Sequence, residues 1–84
     1  MFSNDGETQS NNRDIAALTR SIISQLPEKQ RLAIHLRDVE GYEFEEIGEV
    51  LGIDETSVRM NLSRARKSVR TQLIEAMNYG VKRD

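Results

Sequence analysis

Apolar residues recur along this chain at intervals of three and four positions, in four separate runs. Ile15, Leu18, Ile22 and Leu26 make the first, with Arg13, Thr19, Arg20 and Ser24 on the opposite face. Leu32, Leu36 and Val39 make the second, widened by Ala33 and Ile34; Ile47, Val50 and Leu51 make the third. Val58, Leu62, Ala65, Val69 and Leu73 fall within one narrow arc of the fourth. A period near 3.6 residues puts each run on one face of a helix, so the chain reads as an all-α, four-helix domain.

Punctuation between the runs sets the boundaries. The first helix is predicted from about Arg13 to Gln25, with Asn12 as its cap. Pro27, the single proline, suits the first position of the second helix, where a missing N–H costs nothing, and Gly41 ends that helix as a residue tolerant of positive φ. Glu43 to Leu51 is the third. Gly52 is placed where its C-cap needs positive φ, Ile53 reads as a buried turn residue, and Asp54 can accept from the first free N–H groups of the fourth helix. A turn of ~3 residues between the last two helices, with small Gly48 and Gly52 where the helices must pack closely, matches a helix-turn-helix. The last helix is expected through Glu75, Ala76 and Met77, with Asn78-Tyr79-Gly80 stopping it. Residues 1–12 are polar and read as a disordered tail or linker remnant, 13–80 as the domain, and 81–84 as a second tail.

Charge changes this picture more than composition does. The 84 residues carry a formal net charge of −2 and a pI near 5.4, which taken alone argues against a nucleic-acid partner. Between Thr56 and Ile74, however, lie five bases (Arg59, Arg64, Arg66, Lys67, Arg70) and no acid, whereas Glu28 to Glu55 holds nine acids against three bases. Counterion release depends on local phosphate contacts, and the Debye length is only ~8 Å in physiological salt, so the distribution outweighs the total. A cationic helix beside an acidic body would neutralise phosphates on one side and be repelled on the other, which fixes orientation on a duplex. On the helical wheel Arg59, Met60, Ser63, Arg64, Lys67 and Arg70 oppose the apolar arc, with Arg66 at its flank.

Little else in the chain suggests chemistry. There is no Cys, hence no disulfide and no thiolate metal site, and a scarcity of aromatic residues with no Trp argues against a stacking platform for single strands. Glu43, Glu45, Glu46 and Glu49 cluster, but acids near a helix N-terminus favour the macrodipole, and no metal site or cofactor is expected. His35, the one histidine, reads as structural or solvent-facing. No acid, base and nucleophile set is visible, so no enzyme is expected. The N-terminus lacks a basic and an apolar signal region, and no apolar run approaches the ~18 residues of a membrane span; a cytoplasmic protein that meets no membrane is expected.

Leu26 to Arg70 resembles region 4 of bacterial RNA polymerase sigma factors, especially the extracytoplasmic-function group. The resemblance rests on Leu26-Pro27, on the segment from Arg31 through Leu36-Arg37-Asp38 to Gly41, on EEIGEVLG (Glu45 to Gly52), and on SVRMNLSRAR (Ser57 to Arg66). It implies a helix-turn-helix domain of winged-helix-like type without a wing. It also implies a recognition helix in the major groove of the minus-35 promoter element, contact with the flap of the polymerase β subunit, and capture by an anti-sigma factor. Carried onto this sequence, base-edge and nearby contacts fall to Arg59, Met60, Ser63 and Arg64, and phosphate contacts to Ser57, Asn61, Arg66 and Lys67. The chain departs from the family at Asn61, often basic there, and at Ser63, often larger. The family's minus-10 domain is absent, which reads as a C-terminal fragment or a stand-alone relative. Two other readings of the residues stand beside this one: a response-regulator-type helix-turn-helix, and a helical interaction domain whose basic face meets an acidic protein.

Overall fold

The structure, a computed structural model, describes residues 14–82, with side chains as far as 78. The polar segment 1–12, Arg13 and the Asn12 cap lie outside the described residues. Four helices follow in order: α1 (14–24), α2 (Glu28–Ile34), α3 (Phe44–Leu51) and α4 (Glu55–Lys82), with a π-helical turn, His35–Val39, extending α2. No strand occurs among the described residues, and no helix is long and apolar enough to cross a membrane.

The corners follow local chemistry. After α1 the chain tightens, Gln25 and Leu26 donating to the carbonyls of Ile22 and Ile23 at 3.1 Å. Pro27 then occupies the capping position of α2, one residue before the expected first turn. Its φ of −52° and ψ of 150° are extended, and its carbonyl accepts from Arg31 at 2.9 Å. Proline suits this corner because its φ is fixed and it has no N–H to leave unpaired. At the far end Glu40 N–H reaches back five residues to His35 at 3.1 Å, and Gly41, at φ 79°, reverses the chain. Glu43 caps α3 through a reciprocal box: it receives the Glu46 backbone N–H, and its own N–H donates to Glu46 Oε1 at 2.8 Å.

Ile22, Leu26, Ala33, Ile34, Ile47, Val58, Leu62 and Ala65 form the buried core. Three expected core positions, Ile15, Val39 and Val50, are exposed instead. On α2 the buried face centres on Ala33 and Ile34, the supposed margin, because small Ala33 and Ala65 let α2 and α4 approach closely. Leu32 and Leu36 are half-buried beside that face, and Val39 is 69% exposed. In α3 the buried arc is Phe44, Ile47, Gly48 and Leu51, which leaves Val50 roughly 110° away at 100° per residue and 59% exposed. Ile15 is 45% exposed, near the start of α1, where cover begins only at Leu18 and becomes full at Ile22. The fourth stripe does hold, with Val58, Leu62 and Ala65 buried and Val69 and Leu73 half-buried. The expected stop at Asn78-Tyr79-Gly80 does not occur, and the backbone stays helical to Lys82. Nothing at Gly80 demands a positive φ, and a glycine without such a demand costs a helix only ~1 kcal/mol.

Candidate nucleic-acid interface

The turn between α3 and α4 is built by Gly48, Gly52 and Asp54. Gly52 adopts φ 71° and ψ 35°, the left-handed conformation that ends α3, and Ile53 N–H closes onto the Gly48 carbonyl at 3.0 Å. A Cβ on Gly48 would stand 2.7 Å from the Ile53 carbonyl oxygen, so only glycine lets the turn fold back so tightly. Asp54 Oδ1 then accepts the Ser57 N–H at 2.8 Å. Hydrogen bonds from the Ser57 backbone, and next from its hydroxyl, hold the Asp54 carboxyl below its ordinary range. The expected C-cap, turn and N-cap are all present, and they present the N-terminal half of α4 as a rigid rod.

That rod carries two differently constrained sets of polar residues. Met60, Arg64 and Lys67 stand directly opposite the buried face; all three are exposed, Met60 at 45%. Among the described residues neither Arg64 nor Lys67 has a carboxylate within ion-pair reach. Ser57 and Asn61 occupy one flank, half-buried, with Asn61 Nδ2 donating to the Ser57 carbonyl at 2.8 Å. The other flank is Arg59, Ser63, Arg66 and Arg70, which line a shallow groove with Phe44.

Sequence reasoning missed what happens on that second flank. Arg59 was expected to project outward, but its guanidinium lies 5.1 Å from the centre of the Phe44 ring and 3.8 Å from Glu55 Oε1. Arg37 lies against the same ring at 4.6 Å while donating to the Tyr42 carbonyl at 2.7 Å. Phe44 thus holds two guanidinium groups by the attraction of its π-electrons for cations. Arg66 makes a two-pronged ion pair with Asp38, Nε to Oδ2 at 3.2 Å and Nη2 to Oδ1, and the carboxylate raises its already high pKa. Arg37 and Asp38 lie in a segment that carries the family resemblance, and Phe44 directly precedes another. No periodicity could pair Phe44 with Arg59 or Asp38 with Arg66, because the partners are 15 and 28 residues apart. His35 is exposed, its Nε2 at 3.3 Å from Glu40 Oε2.

Residues 14–69 match the family described as Sigma-70, region 4. The chain belongs to the sigma-70 region 4 family. The match reaches α1, ahead of the segments that carry the resemblance, and ends at Val69, so the last turns of α4 lie beyond it. Among curated relatives, the RNA polymerase sigma factor SigZ of Bacillus subtilis (strain 168) is 32% identical over 84 residues, covering 94% of this chain and 48% of that protein. The ECF RNA polymerase sigma factor SigE of Mycolicibacterium smegmatis (strain ATCC 700084 / mc(2)155) is 36% identical over 59 residues, 70% of this chain and 23% of that protein. The chain therefore spans about half of one relative's length and about a quarter of the other's. As a region 4 domain it is a helical, DNA-binding helix-turn-helix unit of the sigma-factor class, with α3 and α4 as the two helices of the motif.

Proposed function

We propose that this chain reads the minus-35 element of a promoter duplex with the N-terminal half of α4 in the major groove. The observation that carries the reading is the ridge of Met60, Arg64 and Lys67, opposite the buried face and clear of carboxylates among the described residues. An Arg fork can engage guanine O6 and N7 in parallel, and a thioether can lie against a thymine methyl. Arg59, Met60, Ser63 and Arg64 meet base edges in this reading. Ser57, Asn61 and Lys67 meet phosphates, whereas Arg66 is engaged by Asp38 and is left out of that set. Selection from a random duplex pool, followed by titration at several salt concentrations, tests it. One preferred sequence with a log-linear fall in affinity is expected. A pool without preference, or binding indifferent to salt, overturns the reading and favours a protein partner for the basic face.

Contact with polymerase belongs to the same proposal, and the sigma-factor names of both relatives support it. The flap of the β subunit would occupy the apolar groove between α1 and α2, a space of about 630 Å³ lined by Ile23, Leu32 and Val39 and rimmed by Arg20, Arg31 and His35. An anti-sigma factor would compete for exposed surface of this kind, and a bacterial cytoplasm is where all these partners meet. Val39→Asp should abolish retention on core polymerase while leaving duplex affinity unchanged; undiminished retention would move the flap contact elsewhere.

A further inference from the structure

The cations of α4 between Thr56 and Ile74 differ in how firmly they are held. Arg64 and Lys67 have no carboxylate in reach among the described residues. Arg59 shares its charge between a ring and Glu55 at 3.8 Å, and only Arg66 is gripped by two parallel hydrogen bonds to one carboxylate. Asp38 can do this because of where it stands. It lies four residues beyond Ile34, on the side of α2 and its π-helical turn that packs against α4. Both side chains of the pair remain about half exposed, 48% for Arg66 and 41% for Asp38, so the guanidinium sits within reach of solvent beside Ser63 and Arg70. Without Asp38 it would be one more mobile cation at the edge of the duplex-facing ridge.

We propose that Asp38 sets how much sequence-independent affinity α4 has for a duplex. By holding Arg66 away from phosphate it limits the sequence-independent attraction of α4 for any duplex, so that discrimination rests on the groove contacts. This rests on the duplex-reading function proposed above. The physical reason is that each phosphate contact strengthens binding to every sequence alike, whereas base-edge contacts strengthen one. Withholding a cation lowers non-specific binding and leaves the difference between sequences intact. The ion pair also anchors α4 to the N-terminal half of the domain from the flank beside the ridge.

The experiment compares the 84-residue wild-type chain with Asp38→Asn, Arg66→Gln and Lys67→Gln, on the selected duplex and on a scrambled one, across a salt series. Helicity and melting are followed by circular dichroism. Arg66→Gln should leave the salt slope of the wild type unchanged, whereas Lys67→Gln lowers it by about one unit. Asp38→Asn should steepen the slope by about one unit on both duplexes, a three- to fourfold larger change in affinity between ~50 and ~200 mM salt. Binding of the scrambled and of the selected duplex at low salt should rise by about the same factor, which separates this effect from a change in base reading. A loss of one unit in Arg66→Gln would show that Arg66 leaves Asp38 to grip phosphate, and would overturn the proposal. An unchanged slope in a folded Asp38→Asn protein would overturn it too. If Asp38→Asn proves unfolded, the Arg66→Gln slope still decides. Wild-type protein with no salt-dependent duplex binding would instead overturn the DNA reading itself, so the two failures are distinct.

Discussion

Arg64 and Lys67 are three positions apart on one exposed ridge, yet their chemistry predicts different losses. Arg64→Ala removes a planar fork suited to one base pair. It should cost ~1–3 kcal/mol on the preferred site and relax preference at one or two positions, read by anisotropy on single-base variants. Equal losses on every sequence would mean that Arg64 only holds phosphate. Lys67→Ala should weaken all sequences about equally, because an ammonium group is a compact point charge whose three donors rotate freely and fix no base geometry. Asp54 acts through folding rather than contact. Its carboxyl, held low by the Ser57 hydrogen bonds, has a folded pKa below that of an ordinary aspartate, so the cap's ionised contribution is fully present above the ordinary value. The contribution is lost as pH falls through the folded pKa. Thermal melts on an acid series should show this decline, and Asp54→Asn should flatten it, since an amide oxygen still accepts but does not titrate.

The helix-turn-helix depends on two contacts of different kinds. Leu62, 2% exposed, sits in the core with Ile47 and Val58, and Leu62→Ala should destabilise by ~2–5 kcal/mol, enough to unfold much of so small a domain. Gly48→Ala deletes nothing but sets a methyl group against the Ile53 backbone, which cannot rotate away as a side chain would. The turn must open, at ~1–3 kcal/mol. Because that opening tilts α4, duplex preference should suffer even in protein that remains folded. Denaturant melts together with duplex titration of Gly48→Ala test this, and full stability with unaltered preference would show that the turn is not strained by a Cβ.

Segregated charge governs how the molecule as a whole approaches a duplex. Glu45, Glu49, Asp54 and Glu55 ring the outer side of the turn, next to the cations of α4. Replacing Glu45 and Glu49 together by Gln should raise affinity for scrambled duplex at low salt, leave the preferred sequence unaltered, and have little effect on helicity. The gain should fade as added salt shortens the Debye length. A changed preference would show that these carboxylates also take part in reading bases.

Periodicity in one dimension determines where helices lie, and local side-chain chemistry determines how they end. Gly41, Gly52 and Asp54 could be read directly, because a positive φ or an N-cap depends only on neighbours in the chain. The α4 stripe was legible for the same reason: it is long enough that Val58, Leu62 and Ala65 define one face without ambiguity. Short helices are different. Eight residues of α3 and seven of α2 admit more than one apolar face, and only the approach of α4 selected Ala33 and Ile34 over Val39, and Gly48 over Val50. The cations on α4 were likewise visible in the sequence as one basic helix. Their division into an outward pair, an arginine laid on Phe44 and an arginine gripped by Asp38 was a tertiary decision, because the rings and carboxylates that sort them arrive from helices far away along the chain.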